Sequence, residues 1–378
     1  MNAVRMEKIS KKILTVVGAR PNFIKVAPLV KRIEEFNARS NGQVSIKHIL
    51  VHTGQHYDYN LSKVFFEELS IPAPDVYLGV GSGTHAEQTA KIMLAFEKEL
   101  IRFNPDTVVV VGDVNSTLAC ALTAVKARYP VAHIEAGLRC YDKALPEEVN
   151  RLLTDAISDL LFAPDEIAVA NLKKENIDEN RIFLVGNIMI DCLIENKRKI
   201  ENSQILRKLD LTPKNYAVLT LHRSINVDEE HNLKGILRAV NHLSEEIKIV
   251  FPVHPRTFKR MKEFGLVDSL SSNILLLEPL GYIEFLNLVK NSKFVMTDSG
   301  GLQEETTYLG IPCLTLRETT ERPITVTLGT NEIVGIKEEN IIHWGRKALH
   351  DEWKKGNIPY LWDGKTSSRI LQILMKHI

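Results

Sequence analysis

Residues 293–305 of the chain read KFVMTDSGGLQEE. The apolar first half predicts a β-strand, and the pair Gly300 and Gly301 before a polar run predicts that a helix begins there. A helix N-terminus presents free backbone N–H groups and the positive end of a dipole, which favours a bound diphosphate. Glu305 lies about one turn into that helix, where its carboxylate can accept two hydrogen bonds from a vicinal diol such as a ribose.

The same run has a purely structural alternative, in which Asp298 or Ser299 caps the helix and the glycines form a tight turn. A second segment favours the nucleotide-binding interpretation. Residues 319–323 read TTERP and follow one strand–helix–strand unit later, so Arg322 is expected to reach the same anion.

The composition excludes several classes of protein. The chain has 378 residues, of which 44% are apolar and 25% charged, and this length is sufficient for two domains. A formal net charge of +1 argues against nucleic acid or an anionic membrane as the main partner.

The cysteines and the N-terminus indicate a cytoplasmic protein. The four cysteines are far apart and form no CxxC pair, so neither disulfides nor a metal site is predicted. The first apolar run, residues 13–17, is too short for a signal peptide, and no run has the length of a membrane span.

Short β-branched runs alternate with amphipathic segments of helical length, a pattern typical of parallel sheets covered on both faces. The sequence therefore predicts an α/β protein with two Rossmann-like, doubly wound domains. We expect an N-terminal domain at residues 1–184, a nucleotide-binding domain at 185–362, and a C-terminal helix at about 363–378 that packs back on the first domain. Ligands of such sheets bind beyond the carboxyl ends of the strands.

The first strand is followed by Arg20, which precedes a proline placed for the first turn of a helix. Lys25 comes five residues later, and both cations are expected to converge on an anionic ligand unless they form a solvated pair. The all-valine end of the fourth strand leads into Asp113. Because Asn115 and Ser116 can cap the following helix, Asp113 is predicted to be free for chemistry.

Two further acids follow the fifth strand. Glu135 lies directly after it, and Glu147 begins the next helix beside Glu148. Acids in a first helical turn often only complement the helix dipole, an alternative that applies to Glu147 and Glu148 but not to Glu135.

The second half of the chain offers two histidines at strand ends. His222 follows an apolar strand, and its imidazole can stabilise charge on a departing phosphate or protonate it. His254 lies between two prolines and is predicted to be a rigid phosphate contact or a structural residue.

Taken together, these segments resemble one family, the non-hydrolysing UDP-N-acetylglucosamine 2-epimerases. The resemblance runs from about residue 12 to the C-terminus and is carried by the segments GARP (18–21), GD (112–113), HIEAGLR (133–139), PEEVNR (146–151), HR (222–223), DSGGLQEE (298–305) and TTERP (319–323).

The resemblance implies the GT-B arrangement, in which two Rossmann-like domains face a central cleft that holds the ligand. It implies a UDP-sugar substrate, a homodimer and no cofactor. The implied UDP contacts are Ser299, Gly300, Gly301, Glu305, His254, Arg20, Lys25 and Arg322. The implied groups around the sugar are Asp113, Glu135, Glu147 and Arg151, with His222 opposite them.

The implied reaction needs several acids. If the C1–O bond to UDP breaks early, the oxocarbenium-like centre at C1 acidifies the C2 proton, so that a carboxylate is an adequate base. Inversion then requires proton delivery to the opposite face of C2, which one fixed base cannot reach. Clustered carboxylates also raise one another's pKa, which would keep one protonated. The residues do not decide which acid removes the proton and which delivers it.

Two segments depart from the family pattern. Bacterial relatives bind an activating second UDP-N-acetylglucosamine through the loop after strand two, here Gln55-His56, and a basic residue after strand three. Residues 79–83, which follow strand three, contain no Arg or Lys, so the sequence leaves open whether a second nucleotide sugar activates the protein. The segment 137–146 is shorter than in those relatives, and this difference would change the position of Glu147.

Four other activities stay open. They are a 2-epimerase of UDP-2,3-diacetamido uronic acids, a GT-B glycosyltransferase, a hydrolysing epimerase and a non-catalytic UDP-sugar sensor.

Overall fold

The protein was analysed as a computed structural model, which describes residues 9–40, 44–55 and 66–378. The chain divides into two compact units. Unit 1 comprises Met1–Glu195 and Tyr360–Ile378, and unit 2 comprises Asn196–Pro359.

Unit 1 is built on a parallel sheet in the order β3-β2-β1-β4-β5-β6-β7. Its strands are β1 Ile9–Val17, β2 Val44–His52, β3 Val76–Tyr77, β4 Thr107–Val111, β5 Val131–Ile134, β6 Leu160–Ala163 and β7 Ile182–Leu184. The strand order reverses between β1 and β4, and this is where open α/β sheets bind their ligands.

The helices of unit 1 cover the sheet. They are α1 Arg20–Arg39, α2 His85–Phe103, α3 Asn115–Lys126, α4 Pro146–Ile157, α5 Glu166–Lys174 and α6 Ile188–Glu195, with a 3-10 turn at Glu179–Arg181. All five side chains of β4 are buried, as expected for a central strand covered on both faces. Residues of α2 and α3, including Phe96 and Ala121, pack with β4 in one apolar core.

Unit 2 repeats the scheme with the order β10-β9-β8-β11-β12-β13, again all parallel. Its strands are β8 Tyr216–Thr220, β9 Lys248–Pro252, β10 Ile274–Leu277, β11 Val295–Thr297, β12 Cys313–Thr315 and β13 Asn331–Ile333. The order reverses between β8 and β11, so the residues after these two strands occupy the position where a ligand is expected.

The helices of unit 2 alternate with these strands. They are α7 Lys197–Glu201, α8 Ile205–Lys208, α9 Ser224–Val227, α10 Glu230–Leu243, α11 Pro255–Glu263, α12 Tyr282–Asn291, α13 Gly300–Leu309, α14 Pro323–Thr327 and α15 Glu338–Leu349, with a 3-10 turn at Val267–Ser269. The predicted fold class, two Rossmann-like doubly wound domains, is confirmed.

The last helix, α16 Thr366–His377, belongs to unit 1, where it packs on α1 and α6. The buried carboxylate of Asp191 on α6 accepts hydrogen bonds from the backbone N–H groups of Thr366, at 3.1 Å, and Ser367, at 2.7 Å. Because α6 packs on α1, the division between the units lies after Glu195, later than the expected position after residue 184.

The described part of the chain contains no helix with the length and apolar character that a bilayer span requires.

Candidate functional site

In unit 1, the carboxyl ends of β1 and β4 are tied together by one side chain. Asn22 accepts hydrogen bonds from the backbone N–H groups of Gly18, at 3.0 Å, and Ala19, at 2.9 Å, and donates to the carbonyl of Val111 at 3.0 Å. The role of Asn22 does not follow from the sequence, because a polar residue in the first turn of a helix gives no sign of its distant partner.

Lys25 and Glu135 form a buried ion pair below these strand ends. Their charged atoms lie 2.5 Å apart, and their side chains are only 5% and 4% exposed. Glu135 also has a left-handed backbone conformation, with φ of 72°, which costs a non-glycine residue free energy and is common at functional sites. Lys25 is therefore turned toward an acid of its own unit.

Asp113 faces a second cation. Arg151 on α4 lies 2.5 Å from the Oδ2 atom of Asp113 and 2.5 Å from Glu148, which is fully buried. Asp113 keeps 27% of its side chain exposed, so its carboxylate can reach a ligand while Arg151 holds it. Gly112, which precedes Asp113 in the chain, lies against the first ion pair, since a Cβ atom added there would lie 3.3 Å from the Nζ atom of Lys25.

Glu148 was assigned only a structural alternative, but it is the residue that orients Arg151. Its carboxylate also accepts hydrogen bonds from the backbone of Cys140, at 3.2 Å, and Tyr141, at 2.8 Å. Burial alone raises the pKa of Glu148, but Arg151 and the backbone donors outweigh it and hold the pKa below its usual range.

Glu147 lies next to Glu148 but on the exposed side of the first turn of α4. Arg151, four residues further along this helix, is buried and pairs with Asp113 and Glu148.

The capping expected from Asn115 and Ser116 is wrong. Val114 is the N-cap of α3, the backbone N–H of Ser116 donates to the side chain of Gln55, and Asn115 contacts His85. Asp113 is nonetheless not a cap, because it is paired with Arg151.

A buried charge network supports the turn that carries Asp113. His133 lies 2.8 Å from the carbonyl of Gly112 and 2.6 Å from Asp155, which in turn lies 2.7 Å from Arg139. Burial raises the pKa of Asp155, but His133 and Arg139 outweigh it, so that the pKa is lowered and the acid stays ionised.

In unit 2, helix α13 begins at Gly300, as the sequence predicted, and its N-cap residue Ser299 makes no side-chain capping hydrogen bond. The backbone N–H of Ser299 donates to the hydroxyl of Thr297 at 2.9 Å. Of the two donors of Ser299, the side-chain hydroxyl is therefore the one that could bind a ligand. Gly301 is the second residue of the helix. These residues stand at the positive end of the helix dipole.

Arg322 lies directly against this helix start. A Cβ atom added to Gly300 would lie 2.4 Å from the Nη1 atom of Arg322, so only glycine permits the approach. Arg322 is buried between two acids, Glu304 at 2.9 Å and Glu321 in close contact. The structure thus places Arg322 beside the start of α13, and its two acid partners are an addition from the structure.

Glu321 is shared between cations. Besides Arg322, it pairs with Arg317 at 2.7 Å and lies 3.6 Å from Arg223. Burial opposes ionisation, but the surrounding arginines outweigh it and hold the pKa of Glu321 well below its usual range. Glu321 is therefore an ionised acid that arginines hold beside the start of the helix.

Glu305 has a raised pKa, in contrast to Glu321. It is only 4% exposed, and burial together with the neighbouring Glu304 raises its pKa to about 8, against a weaker lowering effect from Tyr282. A buried carboxyl without a cation is neutral near pH 7. Its position, about one turn inside α13, is the predicted one.

His222 lies at the end of β8 with 45% of its side chain exposed. Its Nδ1 atom is 2.8 Å from the fully buried carboxylate of Asp298. Asp298 is not the helix cap that the structural alternative allowed, because its carboxylate accepts hydrogen bonds from the backbone N–H groups of His222 and Arg223. Burial raises the pKa of Asp298, but His222 and these donors lower it to about 2.

His254 is exposed and caps α11, because its Nδ1 atom accepts a hydrogen bond from the backbone N–H of Arg256 at 3.2 Å. The ring centroids of His254 and His222 are 6.3 Å apart, so both imidazoles stand at the same edge of the sheet.

Two expected positions lie outside the described residues. Arg20 begins α1, but its side chain is not part of the description, and His56 falls in the omitted range 56–65. Within the described ranges, no three His, Cys, Asp or Glu side chains are grouped so that they could hold a metal ion.

The chain is similar to known proteins over both units. A family model described as UDP-N-acetylglucosamine 2-epimerase matches residues 38–375. A UDP-N-acetylglucosamine 2-epimerase of Methanocaldococcus jannaschii is 45% identical over 372 residues, which cover 96% of this chain and 98% of that protein. The crystal structure of the M. jannaschii enzyme in complex with UDP-GlcNAc and UDP matches 97% of this chain and 99% of its own with a TM-score of 0.88.

A relative with a different sugar substrate in its name is also similar. The UDP-2,3-diacetamido-2,3-dideoxy-D-glucuronate 2-epimerase of Pseudomonas aeruginosa is 39% identical over 368 residues, which cover 97% of this chain and 99% of that protein.

Proposed function

This chain belongs to the UDP-N-acetylglucosamine 2-epimerase family, and on that premise we propose that it interconverts UDP-N-acetylglucosamine and UDP-N-acetylmannosamine by inverting C2. The observation that carries the proposal is the match over almost the whole chain to an enzyme crystallised with UDP-GlcNAc and UDP. The groups at the strand ends of each unit supply the two kinds of chemistry that this reaction needs.

Unit 2 is proposed to bind the UDP moiety. The hydroxyl of Ser299 and the backbone N–H groups of Gly300 and Gly301 would donate to the diphosphate at the positive end of α13. The buried guanidinium of Arg322, held beside Gly300 by two acids, would neutralise it. Glu305 would accept hydrogen bonds from the ribose diol.

Unit 1 is proposed to supply the acids that act on the sugar. Asp113 and Glu135 follow adjacent strands, and each faces a buried cation. Glu147 is exposed one turn before Arg151, and Arg20 is proposed to contact the diphosphate. The ion pair with Lys25 would hold the carboxylate of Glu135 in place at the end of its strand.

The proposed chemistry is elimination followed by addition. The C1–O bond breaks and its electron pair goes to UDP, while a carboxylate takes the C2 proton, giving 2-acetamidoglucal and UDP. A proton then reaches C2 from the opposite face, and UDP returns to C1. No external oxidant or reductant is required, because the overall change is an isomerisation.

His222 is proposed to act on the leaving diphosphate. Its exposed ring, oriented by a buried acid, can donate to the oxygen that receives the electron pair of the C1–O bond. His254, which stands 6.3 Å away ring to ring, would contribute a second contact to the phosphates.

Incubation with UDP-N-acetylglucosamine in D₂O tests the proposal without any acceptor. The epimerase predicts deuterium at C2 and a mixture with UDP-N-acetylmannosamine, observed by proton NMR. Unchanged substrate would indicate a transferase or a sensor, and release of free N-acetylmannosamine would indicate a hydrolysing enzyme. Either result would refute the proposal.

A second substrate has a specific observation in its favour. The 39% identity to the P. aeruginosa enzyme makes a UDP-2,3-diacetamido uronic acid the alternative. Assaying both nucleotide sugars at equal concentration separates the two, because the true substrate should have the higher kcat/KM.

We also propose that the protein is a homodimer. Leu94 and Ile101 on α2 are 67% and 66% exposed, and Leu153 on α4 is 47% exposed. Both helices pack on α3, so these apolar side chains lie on the two helices that flank it, and a second copy could cover them. Light scattering should give twice the chain mass, Leu94→Lys should reduce it, and Ile358→Lys, which changes an exposed apolar residue of unit 2, should not.

The proposed location is the cytoplasm, where UDP-sugars are made and used for polysaccharide or glycan precursors. The four cysteines are free and buried, as is usual in a reducing compartment. Fractionation of cells with a UDP-N-acetylmannosamine assay would test this, and activity in the membrane or external fraction would contradict it.

A further inference from the structure

The contact between Asp298 and His222 goes beyond the roles considered so far. Asp298 ends β11 and is fully buried, whereas His222 ends the neighbouring strand β8 and is 45% exposed. An acid that is hidden from any ligand thus contacts a ring that a ligand can reach.

The carboxylate of Asp298 receives donors on both oxygens. Oδ2 accepts from the backbone N–H groups of His222 and Arg223, each at 3.0 Å, and from the side-chain amide of Asn226 at 3.1 Å. Oδ1 lies 2.8 Å from Nδ1 of His222. Because three donors already face the acid, an ionised carboxylate satisfies them best, and it can only accept from the ring.

The neutral ring of His222 must then carry its proton on Nδ1, which leaves the lone pair on Nε2. His254 gives the opposite pattern, because its Nδ1 accepts from the backbone N–H of Arg256 and its proton must be on Nε2. Two rings only 6.3 Å apart are therefore set in different tautomers by their partners.

We propose that Asp298 is a positioning residue that fixes the His222 proton on Nδ1 and so reserves Nε2 for proton exchange with the diphosphate leaving group. This inference rests on the proposed function. In the forward step, protonated His222 gives its Nε2 proton to the phosphate oxygen that takes the electron pair of the C1–O bond. The ring ends neutral, with its remaining proton held by Asp298, and the return step reverses these transfers.

The wild-type protein provides the first test. Long-range proton–nitrogen NMR at a pH where the rings are neutral should show His222 protonated on Nδ1 and His254 protonated on Nε2, with resonances assigned by His222→Gln and His254→Gln. The measurement needs no substrate and no change to Asp298. An Nε2 proton on neutral His222 would overturn the inference even if the enzyme is an active epimerase.

Asp298→Asn provides the second test. The three donors at Oδ2 should attract the amide oxygen, which turns the NH₂ group toward Nδ1 of His222. The ring should then change to the Nε2-protonated tautomer, and kcat should fall about 100-fold or more, as expected when an acid–base group is disabled. The affinity for UDP, measured by calorimetry, should change by less than about 5-fold, a bound that follows from losing at most about 1 kcal/mol.

Asp165→Asn is the matched control. Asp165 is also a buried aspartate just after a strand, and it caps α5 by accepting from the backbone N–H of Ala168 at 2.8 Å. Its replacement should leave the His222 tautomer and kcat unchanged. An Asp298→Asn protein that folds, retains the Nδ1 tautomer and keeps its kcat would refute the inference. Lack of epimerase activity in the wild type would instead refute the proposed function.

Discussion

Replacement of Glu305 by glutamine is expected to stabilise the unliganded protein at alkaline pH and to weaken its binding of UDP. Glu305 is buried on α13, and burial with the nearby charge of Glu304 raises its pKa to about 8 from an ordinary value of 4.5. Glutamine has nearly the same shape as the protonated acid and cannot ionise.

The direction of the pH effect follows from proton binding. Between pH 4.5 and 8 the unfolded chain has lost the Glu305 proton while the folded protein keeps it, so folding takes up a proton and stability falls as pH rises. The free energy of unfolding falls by about 1.4 kcal/mol for each pH unit, so the interval between pH 4.5 and 8 corresponds to a loss of about 5 kcal/mol. Stabilisation by Glu305→Gln should therefore be below about 1 kcal/mol at pH 5 and approach about 5 kcal/mol at pH 8.5.

Urea unfolding of both proteins at the two pH values measures this difference. Trp344 and Trp353 lie in unit 2, the unit that contains Glu305, so tryptophan fluorescence follows its unfolding. Glu284→Gln is the control, because this acid of the same unit is 32% exposed and paired with Lys208, and its replacement should have a small effect at both pH values.

Binding should change in the opposite direction. At pH 8.5, above the pKa of about 8, Glu305 is largely ionised and can accept from both hydroxyls of a ribose diol. Hydrogen bonds to a charged group are worth about 1.5–3 kcal/mol, so at this pH the UDP affinity of Glu305→Gln should fall by about 10-fold to 100-fold. A stability difference that is the same at both pH values, or a variant less stable than wild type at pH 8.5, would show that Glu305 is already ionised in the fold and refute the reasoning.

Three further predictions follow from contacts within single units. Lys25→Met should lower the free energy of unfolding by about 3–5 kcal/mol in urea, because the buried charge of Glu135 loses its counter-ion, and adding Glu135→Gln should recover most of it. Additive losses would contradict the pairing. Gly300→Ala should weaken UDP binding by about 10-fold in calorimetry, since its Cβ would lie 2.4 Å from a guanidinium nitrogen. Gly235→Ala, where nothing lies within 4 Å, should bind normally, and equal affinities would refute the close approach. Asp191→Ala should free the last helix and speed tryptic cleavage within residues 360–378, and unchanged cleavage would show that other contacts hold it.

The elements that follow from local composition were predicted well. The strands Thr107–Val111 and Val131–Ile134 are short β-branched runs that end at turns, as the alternating pattern predicts. The strand Asn331–Ile333 was missed, since its sequence NEI has neither the length nor the apolar character of a buried strand. Its place at the edge of the sheet comes from pairing with Cys313–Thr315.

The sequence by itself determined which residues stand at the carboxyl ends of the strands, because strand, turn and helix are specified by neighbouring residues. It therefore identified Asp113, Glu135, His222 and Glu305 as the groups to examine. It could not identify their partners. Lys25 is 110 residues from Glu135, and His222 is 76 residues from Asp298.

Only the tertiary structure decided the charge of each acid. Glu305 has the same side chain as Glu148, yet one has a raised pKa and the other a lowered one. The difference arises because Glu148 was buried beside Arg151 and Glu305 beside another acid. Burial disfavours the ionised form of a carboxyl group, and a nearby cation favours it. Both effects depend on which distant segments the fold brings together.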